Sequence, residues 1–164
     1  MKLISHRGNI KGPNPKKENS PGYILEAIKL GYEVEVDIWY IDKKWYFGHD
    51  EPIYEVNLEQ YLKYFDKIWF HCKNLEIYSG FLISKNFIVS GSEHTHSLDD
   101  GKKFFWHQND DFALTSNNKI WTYPGKELCD FSICVLPEQA NYTNEELKIC
   151  YGICSDYIEK YKII

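Results

Sequence analysis

Apolar and polar positions alternate with a period of two in several short runs of this chain, and with a helical period in only a few. Lys2 to His6 reads as a first strand that enters a Gly-, Pro-, Asn- and Lys-rich loop from Gly8 to Asn19. Ser20 then caps a helix with Pro21 at its first position, apolar at Ile24, Leu25 and Ile28, and stopped by Gly31. Proline is suited to that place because the N–H it lacks is one the first turn leaves unpaired anyway. Glu33 to Ile41 forms a second strand, turns at Asp42-Lys43-Lys44 and returns from Trp45 to Gly48. Asn57 opens a helix whose Leu58, Tyr61, Leu62 and Phe65 fall on one face, and Lys67 to Lys73 is a third strand. Later strand-like runs are Phe87 to Ser90, Lys103 to Gln108, Lys119 to Tyr123, Phe131 to Leu136 and Tyr151 to Ser155. Thr143 and Glu146 have the spacing of a capping box ahead of a short helix.

The opening order, strand, helix, strand hairpin, helix, strand, starts a parallel sheet covered by helices. A full (β/α)8 barrel usually takes about 250 residues, and this chain has 164. The expectation is therefore an α/β fold, a single domain over residues 1–164, built as a pared-down TIM-type barrel with shortened crossover helices. An antiparallel sandwich is the rival architecture. No repeat, linker or low-complexity segment interrupts the chain.

Composition changes this picture little. The chain is 43% hydrophobic and 26% charged, ordinary for a globular protein. A net charge of −5 without a basic run argues against nucleic acid as a partner. No apolar run is long enough to span a membrane and no signal-peptide core opens the chain, so the expected location is cytoplasmic. The five cysteines, an odd number without a CxxC pair, read as reduced packing residues in that setting.

The candidate chemistry sits in the first fifty residues. In order come His6-Arg7-Gly8, Glu18-Asn19, Glu35-Val36-Asp37 and His49-Asp50, and Arg7 is the sole arginine. In Glu33-Val34-Glu35-Val36-Asp37-Ile38 the carboxylates occupy alternate positions, so Glu35 and Asp37 lie side by side on one face of the strand. A purely acidic face is repulsive unless a cation or a lysine sits against it. All-oxygen ligands suit Mg²⁺ or Ca²⁺. His6 and His49 form a pair whose imidazoles titrate near neutral pH, so one can remove a proton while the other donates one. Arg7 offers a rigid fork to phosphate. A proton donor, a proton acceptor, a hard-cation site and a fixed positive group are the parts that phosphodiester chemistry requires. Glu93-His94-Thr95-His96 also has metal-like residue types, but its neighbours make it a polar loop.

The motifs His6-Arg7-Gly8, Glu35-Val36-Asp37 and His49-Asp50, in this order and spacing, resemble the glycerophosphodiester phosphodiesterase family, within the phosphatidylinositol-phospholipase-C-like phosphodiesterases. The resemblance covers residues 4 to 50 strongly, the third strand partly and 119 to 157 loosely. It implies a metal-dependent phosphoric diester hydrolase acting on a small alcohol-linked phosphodiester. His6 and His49 would be the acid and base, in an order the sequence does not assign, with Arg7 and Lys73 facing the phosphate. Where this family carries Glu-x-Lys, the third strand here reads His71-Cys72-Lys73. The metal ligands implied are thus Glu35, Asp37 and His71, and the imidazole opens the site to Mn²⁺ or Zn²⁺. Glu18 and Asn19 match the family's Pro-Glu-Asn-Thr segment without its proline. Trp121 matches a Trp-Thr segment late in its barrel, so all three are candidate substrate-binding residues. Trp106-His107-Gln108, the run Trp121 to Gly125, Pro137-Glu138 and the run Gly152 to Tyr157 look like strand ends entering functional loops. Two other functions use the same residues: phosphodiester transfer to an alcohol in polymer synthesis, and non-catalytic binding of a phosphorylated ligand. Oligomeric state is not written in the sequence.

Overall fold

The computed structural model describes residues 1–77, 102–107 and 110–164. The expected strand Phe87 to Ser90, the loop Glu93-His94-Thr95-His96 and Gln108 lie outside those residues. The described chain runs through β1 (Lys2–His6), α1 (Pro21–Lys29), β2 (Glu33–Ile41), β3 (Lys44–Phe47), β4 (Tyr54–Val56), a 3₁₀ helix (Leu58–Lys67) and β5 (Ile68–Cys72). It continues with β6 (Lys103–Phe105), β7 (Phe112–Leu114), β8 (Ile120–Thr122), β9 (Ser132–Val135), α2 (Asn144–Ile149), β10 (Gly152–Ser155) and a last 3₁₀ helix (Ile158–Ile163).

All ten strands belong to one curled, mixed sheet. Its parallel part has the order β6-β5-β2-β1-β10-β9-β8, while β3 and β4 extend β2 as an antiparallel hairpin and β7 returns antiparallel on β8. The curl brings β6 to the segment after β7, where the Ser116 N–H donates to the Phe104 carbonyl at 2.9 Å. The expected TIM-type barrel of alternating strands and helices is therefore incorrect. The architecture is a strand-rich half-barrel with few, short helices. Connection lengths explain the difference. α1, between β1 and β2, and α2, between β9 and β10, are short α-helical crossovers, and a helical turn at residues 75–77 follows β5. β8 reaches β9 through a loop, and the chain from β2 to β5 is spent on the β3–β4 hairpin and a 3₁₀ helix.

That 3₁₀ helix replaces the α-helix expected from Asn57, whose side chain caps it by accepting the Glu59 N–H at 3.0 Å. Leu58, Tyr61 and Phe65 are buried, but the tighter winding turns Leu62 toward solvent. The capping box of α2 forms as its spacing predicts, with Thr143 and Glu146 each bonding the other's backbone N–H.

Period-two alternation sorts the strand residues onto the two faces of the curl. Val34, Val36 and Ile38 of β2, with Ile68, Phe70 and Cys72 of β5, face outward and pack under Ile24, Ala27 and Ile28 of α1 and Phe65 of the 3₁₀ helix. Ile4, Trp69, Phe105, Trp121, Ile133 and Cys154 fill the concave side. Glu33, Glu35 and Asp37 are on this inner face too. At its floor Glu33 is neutralised by Lys103 (2.5 Å) and Lys2 (2.7 Å) and accepts the Trp69 indole N–H at 2.7 Å. Sequence reasoning asked for a cation or lysine opposite the acidic face. For Glu33 the lysine is Lys103, itself only 7% exposed.

Candidate active site

The C-terminal ends of the parallel strands carry one polar cluster. Register pairs His6 with Glu35, Asp37 with His71 and His71 with Phe105, so β1, β2, β5 and β6 deliver their last inward side chains to a common rim. Crevices outside the carboxyl ends of parallel strands are where open α/β sheets bind ligands. Two glycines let the chain turn sharply at this rim. Gly8 follows Arg7 at φ +93°, where a Cβ would fall 2.6 Å from the Tyr23 ring, and Gly48 precedes His49 at φ +149°, where a Cβ would fall 2.1 Å from a backbone oxygen.

Asp37 is the hub. It is fully buried, and its Oδ2 accepts from the Asn19 amide at 2.8 Å, lies 3.2 Å from His49 Nδ1 and 3.1 Å from Arg7 Nε. Its Oδ1 lies 2.8 Å from His71 Nδ1 and 3.5 Å from Lys73 Nζ, yet accepts no well-aligned hydrogen bond among the described residues. Burial alone would raise its pKa. Pairing with His49 and His71 and the charge of Arg7 outweigh that and hold the carboxyl well below its usual range. Asn19 returns a second bond, accepting the Asp37 backbone N–H at 3.0 Å. It does so from the left-handed region at φ 60°, which asparagine tolerates better than most residues.

Glu35, 2% exposed, accepts the Arg7 backbone N–H at 3.2 Å and lies 3.9 Å from His6 Nε2 and 3.7 Å from His71 Nδ1. Arg7, at φ 53°, sends Nη1 to Glu18 at 3.4 Å and Nη2 to His49 Nε2 at 3.2 Å. Each His49 nitrogen thus meets a cation and a carboxylate: Nε2 faces Arg7 and, at 3.6 Å, Asp50 Oδ1, while Nδ1 faces Asp37 and, at 3.5 Å, Lys73 Nζ. His6 has a carboxylate at each ring nitrogen. Its Nδ1 is 2.7 Å from Asp156 Oδ1, its Nε2 faces Glu35, and although burial pulls its pKa down, these two carboxylates raise it overall. Asn9 steadies both sides, its amide donating to Glu18 at 2.9 Å and to Asp156 at 2.8 Å.

The structure thus brings together His6, Arg7, Glu18, Asn19, Glu35, Asp37, His49, His71 and Lys73. It does not bring Trp121 to them. That side chain is 2% exposed in the inner apolar layer, its ring against Trp69 and Phe105. Sequence reasoning missed Asn9, Asp156, His107 and Tyr123. Asp156, His107 and Tyr123 lay in segments marked as strand ends but received no role. Asn9 has no sequence signal beyond the turn that follows Gly8. His107 stacks on His71 (centroids 4.6 Å, 13°) and meets the Tyr123 ring at 4.5 Å. Burial, then the positive charges of His71 and Lys73, push the His107 pKa down to about 4.

Glu35, Asp37 and His71 each offer a ligand atom within 4.8 Å of the others, and Asp37 Oδ1 is a buried oxygen without a hydrogen-bond partner among the described residues. That donor set fits a divalent cation: the carboxylates suit Mg²⁺ or Ca²⁺, and the imidazole admits Mn²⁺. No helix among the described residues is long and apolar enough to cross a membrane. Comparison with known protein families, curated proteins and solved structures finds no match.

Proposed function

We propose that this chain is a metal-assisted phosphodiesterase acting in the cytoplasm on a small, alcohol-linked phosphodiester. One observation carries the reading. Two imidazoles, each anchored through Nδ1 to a carboxylate, stand at one rim with Arg7 and Lys73. The resemblance of the His6 to Asp50 segment to glycerophosphodiester phosphodiesterases supports it independently.

The surroundings of the two histidines support one division of labour between them. In this reading His49, held by Asp37 at Nδ1, takes the proton from the attacking O–H, of water or of a neighbouring substrate hydroxyl, as the new P–O bond forms. The bond from phosphorus to the leaving alcohol then breaks, and His6, protonated between Asp156 and Glu35, delivers a proton to the departing oxygen. Arg7 and Lys73 offset the charge that builds on the non-bridging oxygens. Glu35, Asp37 and His71 would hold a divalent cation, which when bound supplies further neutralisation of that charge.

Hydrolysis of bis(p-nitrophenyl) phosphate and of glycerophosphodiesters, measured with Mg²⁺, Ca²⁺, Mn²⁺ and EDTA, tests the proposal with His49→Ala and His6→Ala beside the wild type. Metal-dependent turnover falling about 10²- to 10⁴-fold in each variant is expected. Equal turnover in the variants sinks it. So does an absence of turnover with every metal while phosphate esters still bind, which leaves the non-catalytic binding function. Product analysis with added acceptor alcohols separates hydrolysis from transfer.

A further inference from the structure

Two polar atoms beside this cluster have no use in the mechanism above. The Tyr123 hydroxyl and His107 Nδ1 are both buried, and neither has a hydrogen-bond partner among the described residues. They belong to adjoining side chains. Tyr123 follows β8 and His107 follows β6, the two ends of the parallel order, and their rings meet at 4.5 Å across the curl. His107 in turn stacks on His71, whose Nδ1 faces Asp37. Buried polar groups in folded proteins are nearly always paired, because an orphaned donor or acceptor loses its water without replacement. Two such orphans side by side at the margin of a binding cluster point to a ligand group that completes them.

The groups themselves say which kind. A phenol hydroxyl both donates and accepts, and burial, then the nearby Glu35 carboxylate, keeps this one protonated. Its ring packs against the inner apolar layer and the His107 ring. We propose that Tyr123 and His107 form a neutral hydroxyl-binding subsite that reads the alcohol half of the phosphodiester. This assignment rests on the phosphodiesterase reading for the placement of the phosphate. It makes the two residues determinants of specificity rather than of bond cleavage: a substrate whose alcohol carries a free hydroxyl near the phosphate is preferred over an alkyl ester of the same size.

Calorimetric titration of the intact chain with glycerol 1-phosphate and with propyl phosphate tests this, since the two share a three-carbon skeleton and differ only in hydroxyls. The wild type is expected to bind glycerol 1-phosphate at least about tenfold more tightly. Tyr123→Phe keeps the ring and removes only the orphaned oxygen. It should erase most of that preference, leave propyl phosphate affinity unchanged and not lower the melting temperature; His107→Phe should act in the same direction. A preference that survives Tyr123→Phe overturns the subsite, as does a parallel loss of both ligands with a lower melting temperature, the mark of a merely structural role. Equal binding of both phosphates by the wild type overturns the subsite but leaves the anion site standing. Binding of neither overturns both.

Discussion

Breaking the ion pair on the floor of the curl should cost stability without touching the rim. Lys103→Met removes the ammonium that contacts Glu33 Oε2 at 2.5 Å and the Asp66 carbonyl, and that lies 4.6 Å over the Trp69 ring. Removing one partner of a buried pair commonly costs about 3–5 kcal/mol, because the other charge stays buried and unpaired. Here Glu33 keeps Lys2 at 2.7 Å and the Trp69 N–H at 2.7 Å, and Lys2 is half-exposed and hydrated. The loss should therefore fall at or just below the lower end, about 2–3 kcal/mol. Glu33→Gln should cost a similar amount, since burial already disfavours the Lys103 charge that Glu33 sustains. The double variant Glu33→Gln/Lys103→Met should be about 1.5–3 kcal/mol better than the sum of the singles, the range for a hydrogen bond between charged groups. In urea, with a slope of about 2 kcal/mol/M, each single variant moves the midpoint down by about 1–1.5 M. Additivity of the two singles to within about 0.5 kcal/mol would show that the pair is not coupled, and the reasoning fails.

Two further outcomes concern the rim. Asp156→Asn removes the stronger of the two carboxylates that raise the His6 pKa, leaving Glu35 alone against burial and Arg7, so the limb of the pH–rate profile set by His6 moves to lower pH. The same pair fixes a sign for stability. His6, raised on folding, contributes below its free value of about 6.5, and Asp156, lowered on folding, contributes above about 3.9. The wild-type advantage over Asp156→Asn in urea should be largest between those values and shrink on either side; an advantage that grows above pH 8 contradicts it. Asn19→Gly loses the two hydrogen bonds with Asp37 and should cost about 2–3 kcal/mol. Asn19→Ala adds roughly 1 kcal/mol for a Cβ at φ 60°, and equal melting midpoints for the two variants would refute that backbone share.

Most of the rim was legible because strand periodicity is strict. Glu35 and Asp37 share a face by alternation alone, and the register of β5 then sets His71 beside Asp37. The sequence could not show how deep along a strand the rim falls. Trp121 and Tyr123 point to the same side one pleat apart, and the lower of the two, Trp121, is core. Nor could it show pairings that only the strand order creates. Asp156 reaches His6 because β10 inserts between β1 and β9, and Lys103 reaches Glu33 because β6 pairs β5. The fold class failed for a different reason: apolar runs mark strands well, but nothing in them says whether a short connection coils or stays extended.

The place of β10 in the sheet also sets a timetable for synthesis. Leu3 pairs with Ile153 and His6 bonds to Asp156, so the sheet's central seam joins segments made about 150 residues apart. At roughly 5–20 residues per second, β1 spends about 8–30 s on the ribosome with that edge open. Until β10 emerges, β9 and β8 have no strand joining them to β1, and His6 lacks the carboxylate that anchors it. A stalled or prematurely ended chain would therefore carry an exposed strand edge and an unassembled rim, which makes it a ready client for chaperones and proteases.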